Sequence, residues 1–226
     1  MPGALAPLGE GFRPLISAVL RGLGATEDER AIASIITWLD LLATWNQKID
    51  LTAARSAGEL VDLMLADAVV LGRHESKGAA VVDVGSGAGA PGLALGLLRP
   101  DLAVSLVEPL AKRVSFLRTV LGHFGAPPAG AGMLRVVRGK GEDLATRGEV
   151  FDTAVARATL PPAAWLELGG RMVRPGGGVW VLLAREPAPE AKEWKIETEE
   201  RYTWPLTGVE RRALRYRRAA ANAEQR

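Results

Sequence analysis

The sequence predicts an α/β fold built on a mostly parallel sheet, and three observations carry that prediction. From about Gly78, short β-prone runs (AAVVDV, LAVSLVE, MLRVVRG, FDTAVAR, GGVWVLLA) alternate with helix-length segments, the pattern of successive strand–helix–strand units. Within that series, Val81 to Leu98 (VVDVGSGAGAPGLALGLL) crowds glycines between an apolar run and a leucine-rich run. Ahead of both, the first 75 residues read as helical.

Composition sets the bounds. The 226 residues are 48% hydrophobic and 24% charged, ordinary for one globular α/β domain with an appendage. No apolar run reaches the 18 or so residues a membrane span needs, and the N-terminus (MPGALAPLGEGFRPL) lacks the plan of a secretory signal. Cysteine is absent, which excludes disulfides, thiolate metal ligands and a cysteine nucleophile, and fits a cytoplasmic protein. No metal-ligand cluster is visible. A formal charge of +2 with pI near 9.1 is too mild to announce a nucleic-acid partner by itself.

The elements follow in order. Thr26 to Glu29 and Ser56 to Glu59 both have capping-box spacing, in which a hydroxyl and a carboxylate satisfy free amides of a first helical turn. EDERAIASIITWLDLLATW then carries apolar residues at helical spacing and predicts a helix ending near Trp45. GELVDLMLADAVVLG predicts a second helix after Ser56. The parallel strands come next, and Pro205-Leu206-Thr207-Gly208 separates two final strand-prone runs as a hairpin turn would. The Ala/Arg-rich tail after Arg217 reads as a frayed end.

The glycine bend lies where a parallel strand gives way to a helix, at the carboxyl edge of the sheet. Positions without a Cβ let the chain take positive φ there and let a ligand lie against the main chain. Gly87-x-Gly89-x-x-Gly92 satisfies the dinucleotide fingerprint literally, a weak signal that by itself suits a nicotinamide-dependent dehydrogenase. Asp83 argues otherwise. Asp83-x-Gly85-x-Gly87-x-Gly89 resembles the arrangement of methyltransferases that use S-adenosylmethionine, in which the carboxylate holds the cationic methionine end. A pyrophosphate would be repelled by so close an anion. Glu108 ends the next strand about twenty residues on, the distance at which an acid accepts hydrogen bonds from both ribose hydroxyls. After the third strand, Gly141 and Glu142 are candidates to meet the adenine, although Glu142 equally suits a helix start.

Five stretches carry a closer resemblance: WNQKIDLTA (Trp45 to Ala53), DVGSGAGAPGLALGLLRPD (Asp83 to Asp101), LAKRVSFLR (Leu110 to Arg118), AVARA (Ala154 to Ala158) and VRPGGGVWVLL. In this order they resemble the bacterial 16S ribosomal RNA guanine-N7 methyltransferases, the glucose-inhibited division protein B family. Pro91-Gly92, the Lys112-Arg113 pair and Arg157 make the match more specific than the bend alone. The resemblance implies a class I S-adenosylmethionine-dependent methyltransferase fold, Rossmann-like, with a mostly parallel seven-stranded sheet. It also implies an antiparallel C-terminal edge hairpin and a helical N-terminal extension. That divides the chain into an extension (1–75), a methyltransferase domain (76–218) and a flexible tail (219–226). It implies cofactor contacts at Gly85, Ala90, Gly141, Glu142 and Arg157, with Arg157 also facing the target base as the catalytic candidate. The implied partner is 16S ribosomal RNA or a small-subunit assembly intermediate, met near the decoding site by a monomer, with no membrane.

The residue inventory is compatible with N7 transfer. Guanine N7 has an in-plane lone pair and no proton, so alignment and desolvation are needed rather than a general base. The two histidines, His74 near a helix end and His123 in a loop-like stretch, read as surface residues. An exocyclic-amine site commonly has Asn/Asp-Pro-Pro-aromatic after the fourth strand, where this chain reads VARATLPPAAW. Pyrimidine C5 chemistry needs a cysteine. A 2′-O-ribose target, which wants a lysine base beside acids, stays open.

RNA contact needs positive charge on one face. The candidates are Lys112, Arg113 and Arg118 in LAKRVSFLR, Arg138 and Lys140 in the third loop, and Arg185 after the fifth strand. Arg211 and Arg212 complete the set; they belong to a closing segment whose arginines also read as the outer face of an edge hairpin. Four positions depart from the family pattern: Met64 replaces a histidine, Ala68 replaces a serine after Asp67, and Arg185-Glu186 replaces Lys-Gly. These leave a second reading open, a diverged relative with another RNA target or weak catalysis.

Overall fold

In a computed structural model of the protein, residues 5–124 and 132–218 are described. The expected tail at 219–226 lies outside them. Helices α1 (Arg13–Gly22), α2 (Glu29–Asn46) and α3 (Ala57–Gly72) precede an alternating series: β1 (Ala80–Val84), α4 (Gly92–Leu98), β2 (Ala103–Glu108), α5 (Ala111–His123), β3 (Leu134–Arg138), α6 (Gly141–Thr146), β4 (Phe151–Ala156), α7 (Pro162–Gly170) and β5 (Val173–Leu183). A closing hairpin of β6 (Trp194–Thr203) and β7 (Glu210–Arg218) completes seven strands, in the order β3-β2-β1-β4-β5-β7-β6. β1 to β5 are parallel, and β7 runs antiparallel to both β5 and β6.

Alternation along the strands feeds two apolar layers. Val81, Leu106, Val155 and Trp180 face a core shared with Phe12, Ile16, Ile35, Trp38 and Leu65 of the N-terminal helices. Val82, Val107, Ala154 and Val179 face the opposite core, closed by Leu144, Trp165 and Leu166. The N-terminal helices therefore cover one face of the sheet and bury their apolar stripe against it.

Helix starts differ in detail from the sequence expectation. Thr26 forms no capping box. Asp28, extended at φ −110°, is the N-cap and accepts the Ala31 N–H at 2.8 Å, while Glu29 pairs with Arg13 at 2.7 Å. Ser56 caps α3 as expected, accepting the Glu59 N–H at 3.1 Å, but the Glu59 carboxylate reaches back to Arg55 N–H rather than to the cap itself.

The hairpin is tied to α3. Asp62, buried in that helix, accepts from Leu206 N (3.1 Å), Thr207 N (2.8 Å) and Thr207 Oγ1 (2.8 Å), fixing the turn. His74 is not a free surface residue: its Nε2 meets Glu200 of β6 at 2.7 Å and its ring lies 5.5 Å from Trp180. His123 is the last residue of α5, not part of a loop, and its Nδ1 lies 2.8 Å from the Thr119 carbonyl oxygen.

The closing arginines do not form one outer face, because β7 lies between β5 and β6 and its central residues alternate between the two core layers. Arg215 points into the layer with the helices, bonding the His74 carbonyl (3.0 Å) near the buried Glu75. Glu75 itself accepts from Thr153 Oγ1 (2.7 Å) and Trp180 Nε1 (2.9 Å).

Candidate active site

β1 has β2 on one side and β4 on the other, so the strand order reverses around it and the carboxyl ends of β1 and β4 open a crevice. A cleft of about 620 Å³ occupies that position. Its walls come from the bend after β1 (Gly85 to Ala88 and Ala90), the end of β2 (Glu108 to Leu110), the start of α6 (Gly139 to Glu142) and the turn after β4 (Arg157 to Leu160). Thr52, Leu63, Met64 and Arg113 close it from the helical layer and α5.

The glycines of the bend make room for different things. Gly87, at φ +54°, has no heavy atom nearer its missing Cβ than the Gly85 carbonyl oxygen at 3.8 Å, and it faces the open cleft. Gly85 is approached by Thr159, whose hydroxyl donates to the Val84 carbonyl at 3.1 Å. A Cβ on Gly89 would lie 3.0 Å from the Trp38 ring, and one on Gly92 would lie 2.5 Å from Asp83. Gly89 therefore does not line the cleft as expected. It admits α2 beneath the bend, where Trp38 Nε1 donates to the Ala88 carbonyl at 2.9 Å.

Asp83 is also absent from the lining of the cleft. It is fully buried, with Oδ2 accepting the Gly92 N–H at 3.0 Å and Oδ1 unpartnered. Burial raises its pKa to about 7, because the ionised form has lost water and gained little in return. Ser86 Oγ bonds the Asp83 carbonyl at 2.9 Å and closes the bend from within.

Glu108 stands where the sequence expects it, buried at the cleft wall. Oε2 accepts Gly87 N–H and Oε1 accepts Leu110 N–H, each at 2.9 Å. Each oxygen keeps a lone pair for a further donor. Gly141 packs against Val84 at the start of α6, and the exposed Glu142 follows it. Ala90 is buried and lines the cleft.

Arg157 reaches back to α3, where its Nη1 bonds the Leu63 carbonyl and lies 3.2 Å from Asp67 Oδ2. The next residue, Ala158, has φ +52°, a strained backbone for a residue with a Cβ and a frequent mark of functional sites. Ala158, Thr159, Trp38 and Leu110, the last 53% exposed at the cleft wall, were not singled out from sequence. None carries a local signal. A helical Trp looks like an ordinary amphipathic residue until the bend folds over it.

The basic candidates separate. Arg113 and Lys140 line the cleft, and Arg113 Nη2 bonds the Asp50 carbonyl at 3.2 Å. Lys112, Arg118 and Arg138 are exposed. Arg185 is exposed beside Glu186, whose carboxylate folds back on the amides of Ala184 and Arg185 at 2.8 and 3.1 Å. Arg211 stacks 4.2 Å over the Trp204 ring, and Arg212 lies 3.3 Å from Glu199 with its Nε buried, so these two are engaged within the hairpin rather than free on its surface. Among the described residues no group of His, Asp and Glu is placed to hold a metal ion, and no helix is long and apolar enough to cross a membrane.

A seven-stranded sheet with an antiparallel last strand, and a glycine-lined crevice flanked by a strand-end acid, define a class I S-adenosylmethionine-dependent methyltransferase. The chain belongs to the GidB family, rRNA small subunit methyltransferase G, whose match spans residues 31–211. A ribosomal RNA small subunit methyltransferase G from Anaeromyxobacter dehalogenans is 33% identical over 175 residues, covering 77% of this chain and 80% of its own. One from Xanthomonas axonopodis pv. citri is 35% identical over 179 residues, covering 78% and 81%. In fold, the chain is similar to a SAM-dependent methyltransferase from Methanosarcina mazei, with a TM-score of 0.51 at 13% identity, over 67% of this chain and 98% of that one.

Proposed function

We propose that this protein transfers the methyl group of S-adenosylmethionine to N7 of a guanine in 16S ribosomal RNA, in a loop near the decoding site. It acts as a monomer in the cytoplasm on the RNA or on an assembling small subunit. Residues 76–218 form the catalytic unit and 1–75 its helical extension. The observation that carries the reading is the cleft at the reversal of strand order, where Gly87, Glu108, Gly141 and Arg157 line one space in a chain of this family.

The residues present fit the cofactor. Gly87 leaves bare main chain where a Cβ would intrude. The two Glu108 oxygens retain lone pairs for ribose hydroxyls. Ala90 and Gly141 bring small surfaces to the nucleoside, and Glu142 stands at the rim. Asp83 acts from beneath, holding the helix start against the bend through Gly92, and does not itself reach the cleft. When bound, S-adenosylmethionine supplies the electrophilic sulfonium methyl.

The chain's own part is alignment. Guanine N7 carries no proton to lose: as the new N–C bond forms the methyl's bond to sulfur breaks, and the positive charge passes from sulfur to the guanine, so no residue is required as a base. Arg157 carries a fixed positive charge into the cleft, where it orients the cofactor and attracts the electron-rich edge of guanine, whose N7 and O6 are acceptors. Leu63, Met64 and Leu160 exclude water around the reacting pair. Lys140 and Arg113 at the cleft, with Lys112, Arg138 and Arg185 exposed, supply phosphate contacts.

The test is chemical cleavage at N7-methylguanine in 16S RNA from cells with and without the gene. Loss of one N7-methyl site in the deletion strain, restored by the parental gene, is expected; unchanged modification would refute the target. Met64 in the cleft wall, where the family pattern has histidine, favours a second reading, a relative with another RNA target. In that case purified protein would methylate total RNA outside the small-subunit molecule.

A further inference from the structure

Arg157 sits on a long, flexible side chain with many rotamers, whose ordering is opposed by entropy. Something must hold it in the geometry that transfer requires. Its Nη1 is held from α3, by the Leu63 carbonyl and by Asp67 Oδ2 at 3.2 Å. Asp67 is itself buried, and its second oxygen is used: Oδ1 accepts the Tyr202 hydroxyl at 2.7 Å. Tyr202 belongs to β6, an edge strand of the sheet, and burial together with the Asp67 charge raises its pKa and keeps the phenol a donor. One carboxylate thus joins a cleft arginine to a strand far along the sheet. Asp67 and Tyr202 do not line the cleft.

We propose that Asp67 is the positioning residue for Arg157, and that Tyr202 fixes the Asp67 carboxylate so that the β6–β7 hairpin sets the geometry of methyl transfer. The inference rests on the reading of Arg157 as the residue that meets cofactor and base. A carboxylate clamped by a phenol on one oxygen can present the other in only one orientation. The guanidinium then adopts one of its many rotamers before any ligand arrives, which is the condition for alignment to accelerate the reaction.

The test is a double-mutant cycle read by two measurements: calorimetric Kd for S-adenosylmethionine, and methyl transfer to small subunits from cells lacking the gene. Arg157→Ala comes first and sets the scale. Asp67→Asn is expected to lower kcat by at least about 10-fold and to weaken cofactor binding in the same direction. In the Arg157→Ala background Asp67→Asn should add less than about 2-fold to either loss, because it acts only through the arginine. Tyr202→Phe, a milder change that keeps the ring, should lower kcat less than Asp67→Asn, and likewise add nothing once Arg157 is gone. Losses that multiply independently, or an Asp67→Asn enzyme with the parental kcat and Kd, would overturn the proposal while leaving Arg157 in place. If Arg157→Ala itself changes neither measurement, the reading of Arg157 falls, and this proposal falls with it. If Asp67→Asn fails to fold, the Tyr202→Phe arm decides.

Discussion

The indole N–H of Trp38, midway along α2, donates to the carbonyl of Ala88 in the glycine bend at 2.9 Å. The helical layer thus supports the bend from below, and the close approach is possible because Gly89 has no side chain to block it. Trp38→Phe would leave that buried carbonyl without its donor, at a cost of about 1–3 kcal/mol in stability. The same variant should bind S-adenosylmethionine more weakly. Urea unfolding and calorimetry measure the two effects, and unchanged affinity would show that the bend keeps its shape without the tie.

Gly87 and Gly92 should fail in different ways. Gly87→Val adds a branched side chain at positive φ in the cleft, and it should abolish cofactor binding while the chain still folds. Gly92→Ala forces a Cβ to within 2.5 Å of buried Asp83, so the expected loss is in stability. Thermal melts beside cofactor titrations distinguish them. The reverse pattern would contradict the assignment of the two positions.

Asp83 makes folding pH-dependent. Its pKa stands near 7 in the folded chain, against about 4 for an unfolded aspartate. The folded state therefore holds a proton that the unfolded chain has already released, and stability contributed by this group falls as pH rises from about 4 to 7. Asp83→Asn removes the titration. The variant should gain on the parent by about 1 kcal/mol or more between pH 5 and pH 8, measured as unfolding free energy without cofactor. A pH-independent difference would refute the assignment.

The cleft-side lysine and its neighbour offer a salt test. Arg138→Gln with Lys140→Gln should weaken binding to 16S RNA and reduce the slope of log K against log salt by about one per lost phosphate contact. Arg211→Gln should leave that slope unchanged, since the guanidinium stacks on Trp204. Filter binding across a salt series reads both.

Much of this architecture is legible in one sequence. The five parallel strands, the helix ending beside Trp45 and the acid at the end of β2 follow from local pattern, because period, length and turn chemistry are local properties. The less legible features depend on distant partners. Thr26 has capping-box spacing to Glu29, yet Asp28 caps the helix, because the extended backbone at Asp28 sets where the first turn begins. Four glycines look alike on paper, yet Thr159, Trp38 and Asp83 fill the space at three of them. Arginines in a closing strand suggest a solvated face, whereas Arg215 is drawn inward by Glu75 and the His74 carbonyl, contributed from the end of a helix 141 residues earlier. The link from Asp67 to Tyr202 spans 135 residues and leaves no local trace.

The placement of β7 between β5 and β6 has a consequence for synthesis on the ribosome. β6 is made first but hydrogen-bonds in the sheet only to β7, so it has no partner until Glu210 to Arg218 have emerged. Until then β5 presents an open flank, and an arrested or prematurely released nascent chain would expose two unpaired strands to aggregation.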